Sequence, residues 1–142
     1  MSKNIVLTNC LIANDGSLSP ASIIIEGAFI KDVILNHSSE YLSSLVGNNE
    51  IVDINGQLVI PGVIDDQVHF REPGLTSKAD IEHESKAAVA GGITSFMDMP
   101  NTIPNAITSE ILEHKYEIAK HTSYANYSFY IGASNDNIKD LS

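Results

Sequence analysis

The stretch Pro61–Gly74 reads Pro-Gly-Val-Ile-Asp-Asp-Gln-Val-His-Phe-Arg-Glu-Pro-Gly. A short apolar run, Leu58–Ile64, leads into it, and the polar residues of Asp65–Arg71 follow at once. Side chains alternate along a strand, so an extended run puts Asp65, Gln67, His69 and Arg71 on one face. Asp66, Val68 and Phe70 then share the other. Three candidate ligands and one anion-binding group leave the end of a buried strand together, which is the pattern of a site.

Downstream, the strand Val63–Phe70 is followed by a loop containing Pro73-Gly74 and by a helix over Asp80–Ala90. Asp80 is the expected N-cap, with Glu82 and Glu84 near the positive end of the helix dipole. Ile81, Ser85 and Ala88 form its packing stripe. Gly91-Gly92 ends it, and Gly91 is expected in the left-handed cap conformation. Ile93–Met99 reads as a second buried strand ending at Pro100. A second helix starts from the N-cap Thr108 and carries the stripe Ile111, Leu112, Ile118 and Ala119. Ala125–Gly132 is a third strand. This strand-helix alternation predicts an α/β domain with a parallel sheet. In such sheets sites gather past the carboxyl ends of strands. Gln67, His69 and Arg71 follow the first strand, Asp98 and Asn101 the second, and Asn135 and Asn137 the third.

Upstream, Met1–Ile60 reads as a small β unit of short strands. They are Asn4–Asn14, Ala21–Glu26, Phe29–Leu35, Glu50–Asn55 and Gln57–Ile60. Asp15-Gly16 marks a turn, and Glu26-Gly27-Ala28 a hairpin. Asn55-Gly56 is a strong hairpin dipeptide and predicts a reversal there. A short helix is expected at Glu40–Leu45. The domains are therefore expected at 1–60 and 61–142.

The chain has 142 residues, 43% of them hydrophobic and 18% charged, which suits a globular fold rather than a disordered one. Its net charge is −10, from 18 acids against 8 bases. That repels nucleic acid and anionic membranes, so neither is expected as a partner. It leaves room for a local cation to bind a small anionic substrate. Cys10 is the one cysteine and reads as an inert core residue. With no disulfide and no signal peptide at Met1–Val6, the expected compartment is the cytoplasm. No apolar run approaches the ~20 residues that cross a bilayer.

Gln67 and His69 are neutral donors of the kind a divalent metal takes. On spacing alone His69 reads as well as an ordinary hydrogen-bonded strand-end residue. Asp65 is better suited to orienting a ligand than to binding metal directly. Arg71 can grip a carboxylate through two parallel hydrogen bonds, or pair with Glu72. Asn101 reads as a turn residue or as a second contact to the same anion. His37, His83, His114 and His121 lack any constellation and read as surface or structural residues.

The pattern Pro-Gly-Val-Ile-Asp-Asp-Gln-Val-His-Phe-Arg-Glu-Pro-Gly resembles the signature of the dihydroorotases of the amidohydrolase superfamily. Ala88-Val-Ala-Gly-Gly-Ile-Thr94 and Met99-Pro-Asn-Thr-Ile-Pro104 are similar to that family's next two motifs. The resemblance implies a small β-sandwich-like N-terminal flanking domain. It also implies the first three βα units of a (β/α)8 barrel from Val63 onward. It implies reversible closure of N-carbamoyl-L-aspartate to L-dihydroorotate, a step of pyrimidine synthesis, with zinc activating water and polarising the ring carbonyl. By the same resemblance His69 is a metal ligand and substrate contact, and Arg71 and Asn101 hold the substrate carboxylate. Arg71 also separates dihydroorotases from hydantoinases and allantoinases.

Two features depart from the family pattern. Gln67 stands where that pattern has its first histidine, so one metal, an altered metal preference, or loss of activity would each fit. The alternative function is a non-catalytic amidohydrolase-like subunit that has lost its metal centre. The second departure is length. A closed barrel takes ~250 residues, and only about 80 follow Val63. The chain is therefore expected to be an N-terminal fragment, inactive alone, with the catalytic aspartate and remaining ligands on later strands. Its last strand would be an open edge prone to pairing, so a homo-oligomer is one expectation.

Overall fold

Ten mostly apolar residues, Ile5–Asn14, form the central strand β1 of the N-terminal half. Asp15 and Gly16 both take left-handed φ, 47° and 71°, in a two-residue turn that suits the twist of a hairpin. The chain returns antiparallel as β2, Ser17–Glu26, and again through Gly27-Ala28 as β3, Phe29–Leu35. The computed structural model describes residues 4–36, 38, 40–41, 44, 47 and 49–138. The helix expected at Glu40–Leu45 falls on a stretch only partly within those residues, and His37 lies outside them.

The reversal expected at Asn55-Gly56 does not occur. Both dipeptide residues are left-handed, φ 54° and 74°, and Gln57 N–H closes the turn on Ile54 C=O at 3.1 Å. The flanking strands β4 (Glu50–Asp53) and β5 (Leu58–Val59) nonetheless both run parallel to β1 and not against each other. The reason lies in β1, which bulges at left-handed Asn9 and accepts Ile54 N–H and Gly56 N–H on Thr8 and Asn9 carbonyls. An available edge captured both halves of the turn. The strands make one sheet, β3-β2-β1 with β4 and β5 on the far edge of β1. Among the described residues the sandwich-like arrangement is therefore a single layer. Val6, Cys10 and Ala21–Ile24 are buried on it, and burial, then the charge of Asp53, pushes the Cys10 thiol up.

Residue contacts divide the chain into two units, Met1–Pro61 and Gly62–Ser142. The second is a mixed α/β unit built from β6 (Val63–Val68), α1 (Ile81–Ala90), β7 (Ile93–Asp98), α2 (Ser109–Thr122) and β8 (Asn126–Phe129). Its three strands are parallel in the order β6-β7-β8. Phe70, Ile81, Phe96, Ala119 and Phe129 form the core beneath the helices. Phe70 and Phe96 pack with rings tilted 45° and centroids 4.5 Å apart, and Tyr116 meets Phe129 edge-on at 4.9 Å, a geometry that adds to area burial.

Helix α1 begins with two orphan donors satisfied by side chains. Asp80 accepts His83 N–H at 2.8 Å, and Glu72 accepts Ile81 N–H at 2.9 Å. The His83 ring returns to the Asp80 carboxylate at 2.8 Å. At the other end Gly91 keeps a right-handed φ of −86°, and Gly92 takes the left-handed one, 89°. The expected cap is thus one residue late, because Gly91 N–H still bonds back to Ala87 and Ala88 carbonyls. Helix α2 starts at the N-cap Thr108, as its sequence implies. His83, His114 and His121 are exposed.

The Asp80–His83 contact gives a titration with a definite sign. The hydrogen bond to Asp80 raises the His83 pKa above its ordinary 6.5, and the same contact with the His83 backbone and ring lowers that of Asp80 below 3.8. The histidine contribution is therefore complete below pH 6.5 and fades as pH rises through the raised value. The aspartate contribution is complete above 3.8 and fades as pH falls through the lowered value. NMR titration of the His83 ring should show its midpoint drop in Asp80→Asn. An unmoved midpoint would count against the contact.

Candidate functional site

The carboxyl end of β6 carries one residue too many for simple alternation. Asp65 pairs with Phe96 and Val68 with Asp98, so three steps on β6 match two on β7. The bulge puts Asp65 in phase with Val68 and out of phase with His69, against the alternation expected from sequence. Asp65 uses its carboxylate to accept Gln67 N–H at 3.1 Å, which holds the bulge, and it is not the partner of the His69 ring. The same extra residue lets Asp66 and Gln67 line one hollow of about 370 Å³ with Met99, Pro100, Tyr130 and Gly132. That hollow lies past the ends of all three strands, the usual place for a site in a parallel sheet.

His69 and Asn101 meet across the strand ends, Nδ1 to Oδ1, at 2.9 Å. A carboxamide oxygen only accepts, so Nδ1 is the donor in this contact, and in the neutral ring Nε2 is the nitrogen with the lone pair. Asn101 keeps its two N–H donors for another acceptor. Asn101 sits at the centre of the tight turn in which Thr102 N–H donates to Pro100 C=O at 2.9 Å, and its side chain meets His69.

Arg71 is the only arginine in the sequence. It is half-buried, and among the described residues its guanidinium has no hydrogen bond or ion pair. Its alternative partner, Glu72, is occupied instead at the start of α1. Arg71 is also left-handed, φ 68°, whereas among the described residues every other non-glycine residue with positive φ is Asn or Asp. A long side chain held there costs roughly 1 kcal/mol or more, a cost that clusters at functional positions. The left-handed turn ends the strand alternation at Phe70, so sequence spacing does not place the Arg71 side chain. Two contacts bind its loop to that of Asn101. Ile103 N–H donates to Pro73 C=O at 3.0 Å, and Gly74 packs directly on Ile103.

Sequence reading missed Lys115. It is fully buried within the apolar stripe of α2, at the position between Leu112 and Ile118. Its ammonium reaches Asp98 at 2.7 Å and Met99 C=O at 3.0 Å. A lysine at a stripe position, facing a strand that ends in an acid, was the available signal. Asn137 is a loop former. It bonds Ile107 and Gly132 carbonyls at 2.7 Å each and receives Ser134 N–H. Asn135 is exposed in the same turn.

Among the described residues no group of three or more His, Cys, Asp or Glu could hold a metal ion. His69 and Gln67 offer two neutral donors, short of the three protein ligands of a catalytic zinc. No described helix is long and apolar enough to cross a membrane.

A sequence profile described as dihydro-orotase-like matches residues 56–139. The chain is 36% identical to a dihydroorotase of Methanosphaera stadtmanae over 129 residues, 91% of this chain and 28% of that protein. It is 35% identical to one from Lactobacillus gasseri over 136 residues, 96% of this chain and 30% of that protein. The chain thus spans less than a third of the length of these curated relatives. In fold it is similar to the L-hydantoinase (dihydropyrimidinase) of Arthrobacter aurescens. The TM-score is 0.87 at 23% identity, over 99% of this chain and 30% of that one.

Proposed function

The chain belongs to the dihydro-orotase-like family, and on that premise we propose that the whole protein is a cytoplasmic, metal-dependent dihydroorotase. It would interconvert N-carbamoyl-L-aspartate and L-dihydroorotate in pyrimidine synthesis. In this reading β6 to β8 are the first strands of a (β/α)8 barrel. The Met1–Pro61 sheet is one layer of a sandwich-like flanking domain. The 142 residues would be inactive alone, and the open edge of β8 would favour association.

The observation that carries the reading is Arg71. The chain's single guanidinium is half-buried and unpaired among the described residues, in a strongly acidic chain, and a planar carboxylate matches its fork. The amide donors of Asn101 would complete the grip, while its oxygen fixes the His69 tautomer. His69 Nε2 and the Gln67 oxygen are the donors this chain would offer to zinc, one ion or two. When bound, zinc supplies Lewis-acid polarisation of the ring carbonyl and an activated water. The donors among the described residues do not complete such a centre. Asp65 would act by holding the bulge that presents Gln67.

The test is ring opening of dihydroorotate by the full-length protein, with its zinc content measured. Arg71→Ala should raise KM roughly 10- to 100-fold, the value of a charged hydrogen-bonded contact, with kcat changed less. An unchanged KM would remove Arg71 from the substrate site. A second reading is a metal-free, non-catalytic subunit. It is favoured by Gln67, which stands where the family pattern has its first histidine. Stoichiometric zinc with turnover excludes it.

A further inference from the structure

The backbone ladder between β6 and β7 closes where Met99 N–H donates to Val68 C=O at 3.0 Å. Two residues later Phe70 N–H needs an acceptor, and a side chain supplies it: Asp98 Oδ1 at 2.8 Å. Phe70 is flanked by His69 and Arg71. The other oxygen of the same carboxylate takes Lys115 Nζ at 2.7 Å, and that ammonium also holds Met99 C=O, two residues before Asn101. Both charged side chains are buried, 0% and 1% exposed. The ammonium also sits 4.8 Å above the Phe129 ring at the end of β8. One ion pair therefore touches the ends of all three strands.

A buried ion pair is a poor way to gain stability, since well-packed apolar residues of similar size often do as well or better. What apolar residues cannot do is accept the Phe70 N–H or grip the Met99 carbonyl. We infer that Asp98 and Lys115 are positioning residues, which set the spacing of His69 and Arg71 on one loop and Asn101 on the next. This rests on the proposed carboxylate site for its kinetic consequence. Its structural consequence stands without that site.

Two paired replacements in the full-length protein separate positioning from stability. Asp98→Leu with Lys115→Met removes both charges together and should restore most of the melting temperature lost in Lys115→Met alone. It should also raise KM for dihydroorotate about tenfold or more with a smaller change in kcat, because misplaced binding groups cost rate steeply. Exchange of the Phe70 amide with solvent should quicken about tenfold or more, as its charge-assisted bond is lost. Asp98→Asn with Lys115→Gln keeps an acceptor at Oδ1 and should retain the parental KM and most of the exchange protection. A folded Leu/Met pair with parental KM and exchange would overturn the inference, and so would an Asn/Gln pair as impaired as the Leu/Met pair. If the parent protein shows no turnover of dihydroorotate, the proposed function fails. Exchange at Phe70 then decides this inference alone, and unchanged exchange in the Leu/Met pair refutes it.

Discussion

Lys115→Met, made alone in the full-length protein, is expected to destabilise the fold by about 3–5 kcal/mol, the cost of removing one member of a buried ion pair. The side chain is fully buried, and so is its partner, Asp98. Methionine fills much of the lysine volume, so cavity formation contributes little. The loss comes instead from a carboxylate left in the interior with only the Phe70 N–H to solvate it. The Met99 carbonyl also loses its bond to Nζ. A domain with a total stability near 5–15 kcal/mol feels such a loss as a large drop in denaturation midpoint. Removing the orphaned charge as well, as in Asp98→Leu with Lys115→Met, should return most of it. The two single costs are thus strongly non-additive. Chemical denaturation of the single and paired variants measures this. A Lys115→Met cost below about 1 kcal/mol would mean that the interior tolerates Asp98 without its partner.

The order of strands and helices from Val63 onward was legible because each element carries its own local signal. Asp80 and Thr108 cap their helices, Gly91-Gly92 ends one, and the β-branched runs have no other use. That His69 and Asn101 come together was legible because both stand just past the ends of neighbouring strands. What the sequence hid was every feature set by a partner strand. The bulge between Asp65 and Val68 is a mismatch of register, and register is a property of two strands, so alternation along one of them put Asp65 on the wrong face. Asn55-Gly56 formed its turn, yet the edge of β1 decided where the flanking strands would pair. Lys115 was hidden for a related reason. A charge in an apolar stripe reads as an interruption until the acid facing it is known.

The loops that hold the site apply the same point to a glycine. Gly74→Ala is expected to cost about 2–4 kcal/mol, combining a left-handed backbone with a clash against main chain. Gly74 has φ 85°, and a Cβ there would stand 2.1 Å from the Ile103 carbonyl oxygen and 2.9 Å from its carbon. A side-chain clash can be relieved by a rotamer change, but this one can be relieved only by moving the Asn101–Ile103 loop. That loop is held where it is by Ile103 N–H on Pro73 C=O and by Ala106 N–H on Pro100 C=O. Gly92 is the control within the same unit. Its φ is 89°, and a Cβ there meets nothing within 4 Å, so Gly92→Ala carries the backbone cost alone, about 1 kcal/mol. The difference between the two variants isolates the close approach of the loops. It should appear as a lower denaturation midpoint for Gly74→Ala and, under the proposed function, as a KM of the full-length protein raised well beyond that of Gly92→Ala. The second effect follows because parting the loops separates Arg71 from Asn101 and breaks the 2.9 Å contact of Asn101 with His69. Equal midpoints in the two variants would show that the loops absorb a methyl group without moving, and the close packing of Gly74 on Ile103 would then have no part in holding the site.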